Sequence, residues 1–162
     1  MFGPGRYVPD PTEGIVHIEA LPAPQVRFYS RDSKQTPCPR CGHGAPRHKG
    51  GQRTLHDLGD LYTDRPVDLV VAFSSHYCDT CHKHFNIDLS DLAPPGSHYT
   101  NRVIDLAVRV VVEDGLPYRP ASWHLWRYHR VFVPYATIQN WVEAGGKKGA
   151  GADPRHLSGV GA

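Results

Sequence analysis

Apolar and polar residues alternate with a period of two through the first half of the chain and switch to spacings of three and four beyond about residue 97. Alternation in Gly14 to Ala20 and in Val26 to Tyr29 predicts short strands, separated by Pro22 and Pro24. Arg53 to Leu61 and Val67 to Phe73 are further extended segments, the second a nearly continuous apolar run, and Phe85, Ile87 and Leu89 alternate after it. These segments predict a small antiparallel sheet. Ala93-Pro94-Pro95-Gly96 is a stiff break, after which the period becomes helical.

Thr100 is placed to cap a helix running to Glu113, with Val103, Leu106, Ala107 and Val110 on its apolar face and Asp114-Gly115 ending it. Pro120 suits the first turn of a second helix through about Arg130, with Ala121, Leu125 and Tyr128 inward. Pro134 opens a third helix that buries Ile138, Trp141 and Val142 and is expected to stop at Gly145-Gly146. The expected fold is α+β, a small antiparallel sheet followed by a three-helix module. Its parts are an extended N-terminal segment over 1–36 packing on the sheet, a sheet module over 37–92, a helical module over 97–148, and a tail over 149–162 too poor in apolar residues to order.

The cysteines give the sheet a chemistry. All four lie in two Cys-x-x-Cys pairs, Cys38/Cys41 in TPCPRCG and Cys78/Cys81 in HYCDTCHKHF. Two such turns supply the four thiolates of a tetrahedral structural Zn²⁺ shell. Pro39 and Gly42 supply the fixed and the permissive backbone angles that a tight knuckle needs. The pairs stand 36 residues apart, beyond the roughly 15 to 20 of compact zinc spacings, so the insert must carry structure of its own. Other chemistries use the same residues. Cys-x-x-Cys also serves disulfide exchange and Fe–S clusters, and His17-Ile18-Glu19 before Pro37-Cys38-Pro39-Arg40-Cys41 mimics a zinc deaminase signature. That last reading would leave Cys78 and Cys81 without a role. His43, His48, His76, His82 and His84 crowd the knuckles and offer substitute ligands or a second metal site.

Composition narrows the setting. The chain has 162 residues, 40% of them hydrophobic, with a formal net charge of +2 that four thiolates and one Zn²⁺ would bring close to zero. It has no apolar run of membrane-spanning length, and Met1 is followed by FGPGRYVPDP rather than a charged start and apolar run, which predicts a cytosolic protein without membrane contact. Positive charge gathers on the helical half and in a loop cluster of Arg47, Lys49 and Arg53, a pattern compatible with nucleic acid. Trp123 and Trp126 on the second helix are expected in packing, the alternative being stacking on unpaired bases.

Three short helices with a tight joint between the last two form a helix-turn-helix pattern, although no Gly occupies that joint. With Ile138, Trp141 and Val142 inward, the third helix turns Thr137, Gln139 and Asn140 outward as candidates for base-edge contacts in duplex DNA. Arg130 and Lys147, with Arg47, Lys49 and Arg53, are candidates for phosphate contacts. Taken together, CPRCG, RTLHDLGDL, VDLVVAFSSHYCDTCHKHF, SHYTNRVIDLAVRVVVEDG and VPYATIQNWVEAGG resemble the N-terminal zinc-finger and helix-turn-helix region of a group of bacterial insertion-sequence transposases, over roughly residues 15 to 148.

The resemblance implies that Cys38, Cys41, Cys78 and Cys81 bind Zn²⁺ in a zinc-ribbon-like module, and that the last helix helps to read a transposon end. It implies a bacterial, nucleoid-associated setting and, as a second partner beside duplex DNA, a separate transposase or other protein. The RNase-H-like catalytic domain of such transposases finds no counterpart here, so the chain is expected to bind DNA without being an enzyme. Two rivals stand beside this reading. One is a protein-interaction or transcription-machinery module, favoured by an exposed sheet face without adjoining positive charge. The other is a zinc hydrolase or deaminase, which would need an open metal position near Glu19.

Overall fold

The computed structural model describes residues 22–151, with side chains for residues 22–146. The expected strand Gly14 to Ala20, with Glu19, lies outside the described residues, as does most of the expected tail. The chain divides into a sheet unit, Ala23–Val103, and a helical unit that begins at Ile104.

Among the described residues, five strands make the sheet: β1 (Gln25–Arg31), β2 (Gln35–Pro37), β3 (Gly44–Asp60), β4 (Arg65–Cys78) and β5 (Lys83–Asn86). The insert between the cysteine pairs does carry its own structure, the long β3/β4 hairpin. Strand order is β1-β4-β3-β2, with β5 also on β4. The sheet is mixed, not purely antiparallel, because β1 runs parallel to β4 with Gln25 opposite Val67 and Arg31 opposite Phe73. Direction explains this. The antiparallel β2/β3 and β3/β4 pairings give β2 and β4 the same sense, and Asp32 to Lys34 step from β1 to β2 without a reversal. Backbone and side-chain bonds pin that step, from Ser33 N–H to Ser74 Oγ and from Arg47 N–H to the Lys34 carbonyl.

One face of the sheet is dry. Leu55, Val67, Leu69 and Val71 project from it every second residue and meet Leu89 and Ala93 from the segment after β5, with Phe73, Ile87 and Leu92 at the margin. A Cβ on Gly51 would come within 2.8 Å of Phe73, so the missing side chain is what lets that ring lie against β3.

The proline-rich break is not a free linker. Ala93 is buried, Arg53 donates to the Pro94 and Ser97 carbonyls, and His56 exchanges backbone bonds with His98 and Thr100. The boundary therefore falls at Val103/Ile104, inside the first helix and beyond the expected position at Ala93 to Gly96. Polar contacts that composition does not reveal hold this segment on the sheet. Asp57, only 4% exposed, accepts from the Thr100 hydroxyl and from both ends of the Arg102 guanidinium. Thr100 is the residue placed to cap the helix, and its hydroxyl donates to this carboxylate.

The helices are α1 (Asn101–Val112), α2 (Tyr118–His129) and α3 (Tyr135–Gly151). Gly115, at φ 75°, turns the chain after α1. In α2, Ala121 and Leu125 are buried as expected, but Ser122 and Trp126 complete the buried face and Tyr128 is 58% exposed. The inward face is rotated from the apolar pattern towards Ser122 and Trp126, and Ser122 satisfies its hydroxyl inside by donating to the Val133 carbonyl. Ile138 of α3 is fully buried, whereas Trp141 and Val142 are half-buried. Helix α3 also runs past Gly145-Gly146, where φ is not left-handed; glycine permits a helix stop and does not impose one.

Candidate metal centre

Each cysteine pair forms a knuckle with the same backbone course. In the first, Gly42 N–H donates to the Cys38 carbonyl at 2.9 Å with Gly42 at φ 78°. In the second, His82 N–H donates to the Cys78 carbonyl at 2.8 Å with His82 at φ 56°. The residue after the second cysteine thus takes the left-handed conformation both times, once with a glycine and once with a histidine whose Nδ1 lies 3.3 Å from the Tyr77 hydroxyl.

The β3/β4 hairpin brings the two knuckles to one end of the sheet. The sulfurs of Cys38, Cys41, Cys78 and Cys81 all lie within 4.8 Å of one another, with Cys38 to Cys81 at 3.9 Å and Cys41 to Cys78 at 3.5 Å. Four sulfurs each about 2.3 Å from a tetrahedral centre stand about 3.8 Å apart, so the donor set has the size and the thiolate chemistry of a four-sulfur metal shell. All four cysteines are free, with Cys38 and Cys78 buried and the other two nearer the surface. The cluster can hold a metal ion.

Protons are unevenly held across the group. The Cys41 and Arg40 backbone N–H groups aim at Cys38 and bring its thiol down to about 7. Hydrogen bonding with the Cys41 thiol, and then burial, push Cys81 up to about 12. A cation that binds here must displace the more tightly held protons, which couples affinity to pH.

Little apolar material surrounds the cluster. Among the described residues, Ala45 and the partly buried Phe85 are the carbon side chains that pack against the cysteines. Beside them lies a polar feature that reading along the chain misses. His76, fully buried, faces the Ala45 carbonyl through Nδ1 at 3.0 Å and Ser74 Oγ through Nε2 at 2.7 Å. A carbonyl only accepts, so Nδ1 donates to Ala45, while Nε2 shares a hydrogen bond with the Ser74 hydroxyl. His76 is therefore a pin between β4 and the first knuckle, stacked on Phe85, and not a thiolate partner. Its place in the alternation of β4, with Ser74 two residues before it, is the only sequence signal. His43, His48, His82 and His84 lie at or near the surface, with His48 and His84 edge to face at 4.9 Å and Tyr77 against His84 at 4.8 Å.

The DNA-contact candidates are scattered. Arg47 makes a two-point ion pair with Asp32 at 2.7 and 3.0 Å. Arg53 holds the Pro94 and Ser97 carbonyls and forms one wall of an open cleft of about 500 Å³ shared with Phe73, Asp88 and Leu89. Lys49 is exposed on β3. On α3, Asn140 is exposed, Thr137 and Gln139 are half-buried, and Gln139 donates to Glu143 at 2.9 Å. Arg130 lies in the left-handed region at φ 47°, its guanidinium 4.8 Å from the Trp126 ring centre. Lys147 falls in α3, with its side chain outside the described residues.

Comparison with protein-family models, with curated proteins and with solved structures finds no match for this chain.

Proposed function

We propose that this is a zinc-dependent, sequence-selective duplex-DNA-binding protein, related in design to transposase N-terminal regions, in which α2 and α3 form a helix-turn-helix. The observation that carries the reading is the α2–α3 joint. Arg130 takes the left-handed position that a glycine would hold, its N–H returns to the Leu125 carbonyl, Val131 and Val133 are buried, and α3 starts directly after Pro134. This is a short, internally fastened turn between two packed helices, the arrangement a reading helix requires. Asn140 then faces solvent, and Glu143 orients the Gln139 amide. The four-cysteine cluster holds Zn²⁺ as a structural ion, with four protein sulfurs and no open position.

Selection of binding sites from random duplexes tests the reading. The zinc-loaded protein enriches a defined site, and Asn140→Ala and Gln139→Ala each lose discrimination at one base position worth about 1 to 3 kcal/mol. Variants that keep the wild-type preference would remove α3 from the role.

A second reading has its own support. Val26 and Phe28 of β1 are exposed on the sheet face opposite the dry one, beside Val70, Ala72 and Thr54, and no Lys or Arg is among these residues. Such a face suits a protein partner. Failure to enrich any duplex, together with a protein complex abolished by Phe28→Lys, would favour it.

A further inference from the structure

The histidines around the knuckles are not equivalent. His76 engages both ring nitrogens inside the sheet unit, and His82 turns Nδ1 to the Tyr77 hydroxyl. His48 and His84 are both exposed and lie in ring contact, their centres 4.9 Å apart and their planes at 61°. Among the described residues, neither of these two rings makes a hydrogen bond or an ion pair. A metal ion takes the lone pair of an imidazole nitrogen, and here no described partner competes for it. The backbone accounts for the meeting. β4 lies between β3 and β5, with Ser75 paired to Lys49 on one side and to Asn86 on the other, so His48 and His84 come from strands that do not pair with each other. The register of β3 shifts between Arg47 and Lys49, which places His48 at the bulge. A bulge re-aims a side chain, and this one lets the His48 ring reach the His84 ring across β4. Tyr77, opposite His84 in register, backs that ring at 4.8 Å. Three rings in series restrict the rotamers of two surface side chains, an entropy that binding would otherwise cost.

We propose that His48 and His84 form a second metal site, on the surface of the sheet unit and separate from the four cysteines, for one divalent transition ion of the class that imidazole prefers, such as Zn²⁺ or Ni²⁺. An ion about 2.1 Å from a ring nitrogen lies about 3.2 Å from the ring centre. Two histidines on one ion therefore have centres about 4.5 Å apart at a right angle and about 5.2 Å apart at the tetrahedral angle. The observed 4.9 Å falls between these. Rotation of the rings about χ2 brings one nitrogen of each to the ion, and water completes the shell. This open shell contrasts with the closed four-sulfur one. Both ligands stand on strands, which hold a pair of donors more precisely than loops do. The site is independent of DNA binding.

The test is a calorimetric titration of NiCl₂ into the zinc-loaded, untagged full chain, with zinc content measured before and after. One further ion should bind per chain without release of zinc. His48→Gln and His84→Gln should each abolish that event. His98→Gln removes an exposed histidine elsewhere in the sheet unit and should keep it. In NMR spectra, paramagnetic Ni²⁺ should broaden the ring signals of His48 and His84 before those of His98 and His129. Retained zinc content and an unchanged thermal melt confirm that each variant is folded, and because both residues are exposed either single variant suffices. The assignment is overturned if no further ion binds, if uptake survives the loss of either histidine, or if each Ni²⁺ taken up releases a Zn²⁺ and so reports exchange at the cysteines.

Discussion

Metal removal should open one end of the sheet unit and leave the other standing. Five large side chains, Leu55, Val67, Leu69, Val71 and Leu89, are buried in the sheet interior. At about 1.5 to 3 kcal/mol each, they contribute on the order of 10 kcal/mol of hydrophobic stabilisation. The metal end has Ala45 and a partly buried Phe85, about 2 kcal/mol by the same measure. The His76 bonds to Ala45 and Ser74 add about 1 kcal/mol each. A four-thiolate Zn²⁺ supplies on the order of 10 kcal/mol, so at this end the ion takes the place of an apolar interior. Hydrogen exchange read by mass spectrometry, with and without chelator, separates the two ends. Peptides covering Gln35 to Ala45 and Tyr77 to Phe85 should lose protection without metal, while those covering Leu55 and Leu69 to Val71 keep most of theirs. Cys78→Ser should reproduce the chelated pattern. Undiminished protection of the knuckles after verified metal removal would refute the structural role of the ion, and equal loss at Leu55 would refute the independence of the sheet interior.

No heavy atom lies within 4 Å of the place a Cβ on Gly42 would take, so Gly42→Ala tests backbone conformation alone and should cost about 1 kcal/mol in urea melts, whereas His82→Gly should gain a comparable amount less its Tyr77 contact. Arg102 is 63% exposed and Asp57 almost wholly buried, so Arg102→Ala strands a buried carboxylate at about 3 to 5 kcal/mol, while Asp57→Asn should cost about 1 to 2 kcal/mol; the reverse order would contradict the burial argument. Burial, and then His124, lower the pKa of His129, so the unfolded chain takes up its proton first as pH falls. Its contribution to stability is complete above the ordinary histidine value of about 6.5 and is lost as pH falls below it towards the lower folded-state value; the melting temperature should fall from about pH 7.5 to about 5.5, and His129→Gln should flatten that slope.

The elements with strong period were legible along the chain. Val67 to Phe73 lies within β4, and α1 falls within one residue of each expected end because its apolar positions, its Thr100 start and its Gly115 stop all agree. The cysteines were legible for a similar reason: their spacing alone dictates two knuckles, and the sulfurs do converge. What stayed illegible depends on contacts distant in sequence. Nothing local announces that β1 will lie parallel to β4, since that direction follows from where β2 pairs, or that Asp57 is a buried acceptor for residues more than forty positions away. The proline-rich break misleads for the same reason. Its composition matches a linker, but Arg53 and His56 supply the partners that fasten it to the sheet.

The turns show most clearly where a residue-type rule stops working. Gly42 signals a left-handed turn by its identity, and the structure places it at φ 78°. His82 and Arg130 adopt the same region at φ 56° and 47° with no glycine to announce them. In L-residues this conformation costs on the order of 1 kcal/mol, and each site has a side-chain contact that offsets it, His82 with the Tyr77 hydroxyl and Arg130 with the Trp126 ring. Those contacts run back to residues four or five positions earlier, within reach of the turn itself. The absence of Gly between the last two helices is therefore no argument against a tight turn there: an aromatic residue four positions before a left-handed arginine performs the stabilising work that glycine does by lacking a side chain. The same exchange at the second knuckle lets two turns of different composition present their cysteines to one centre.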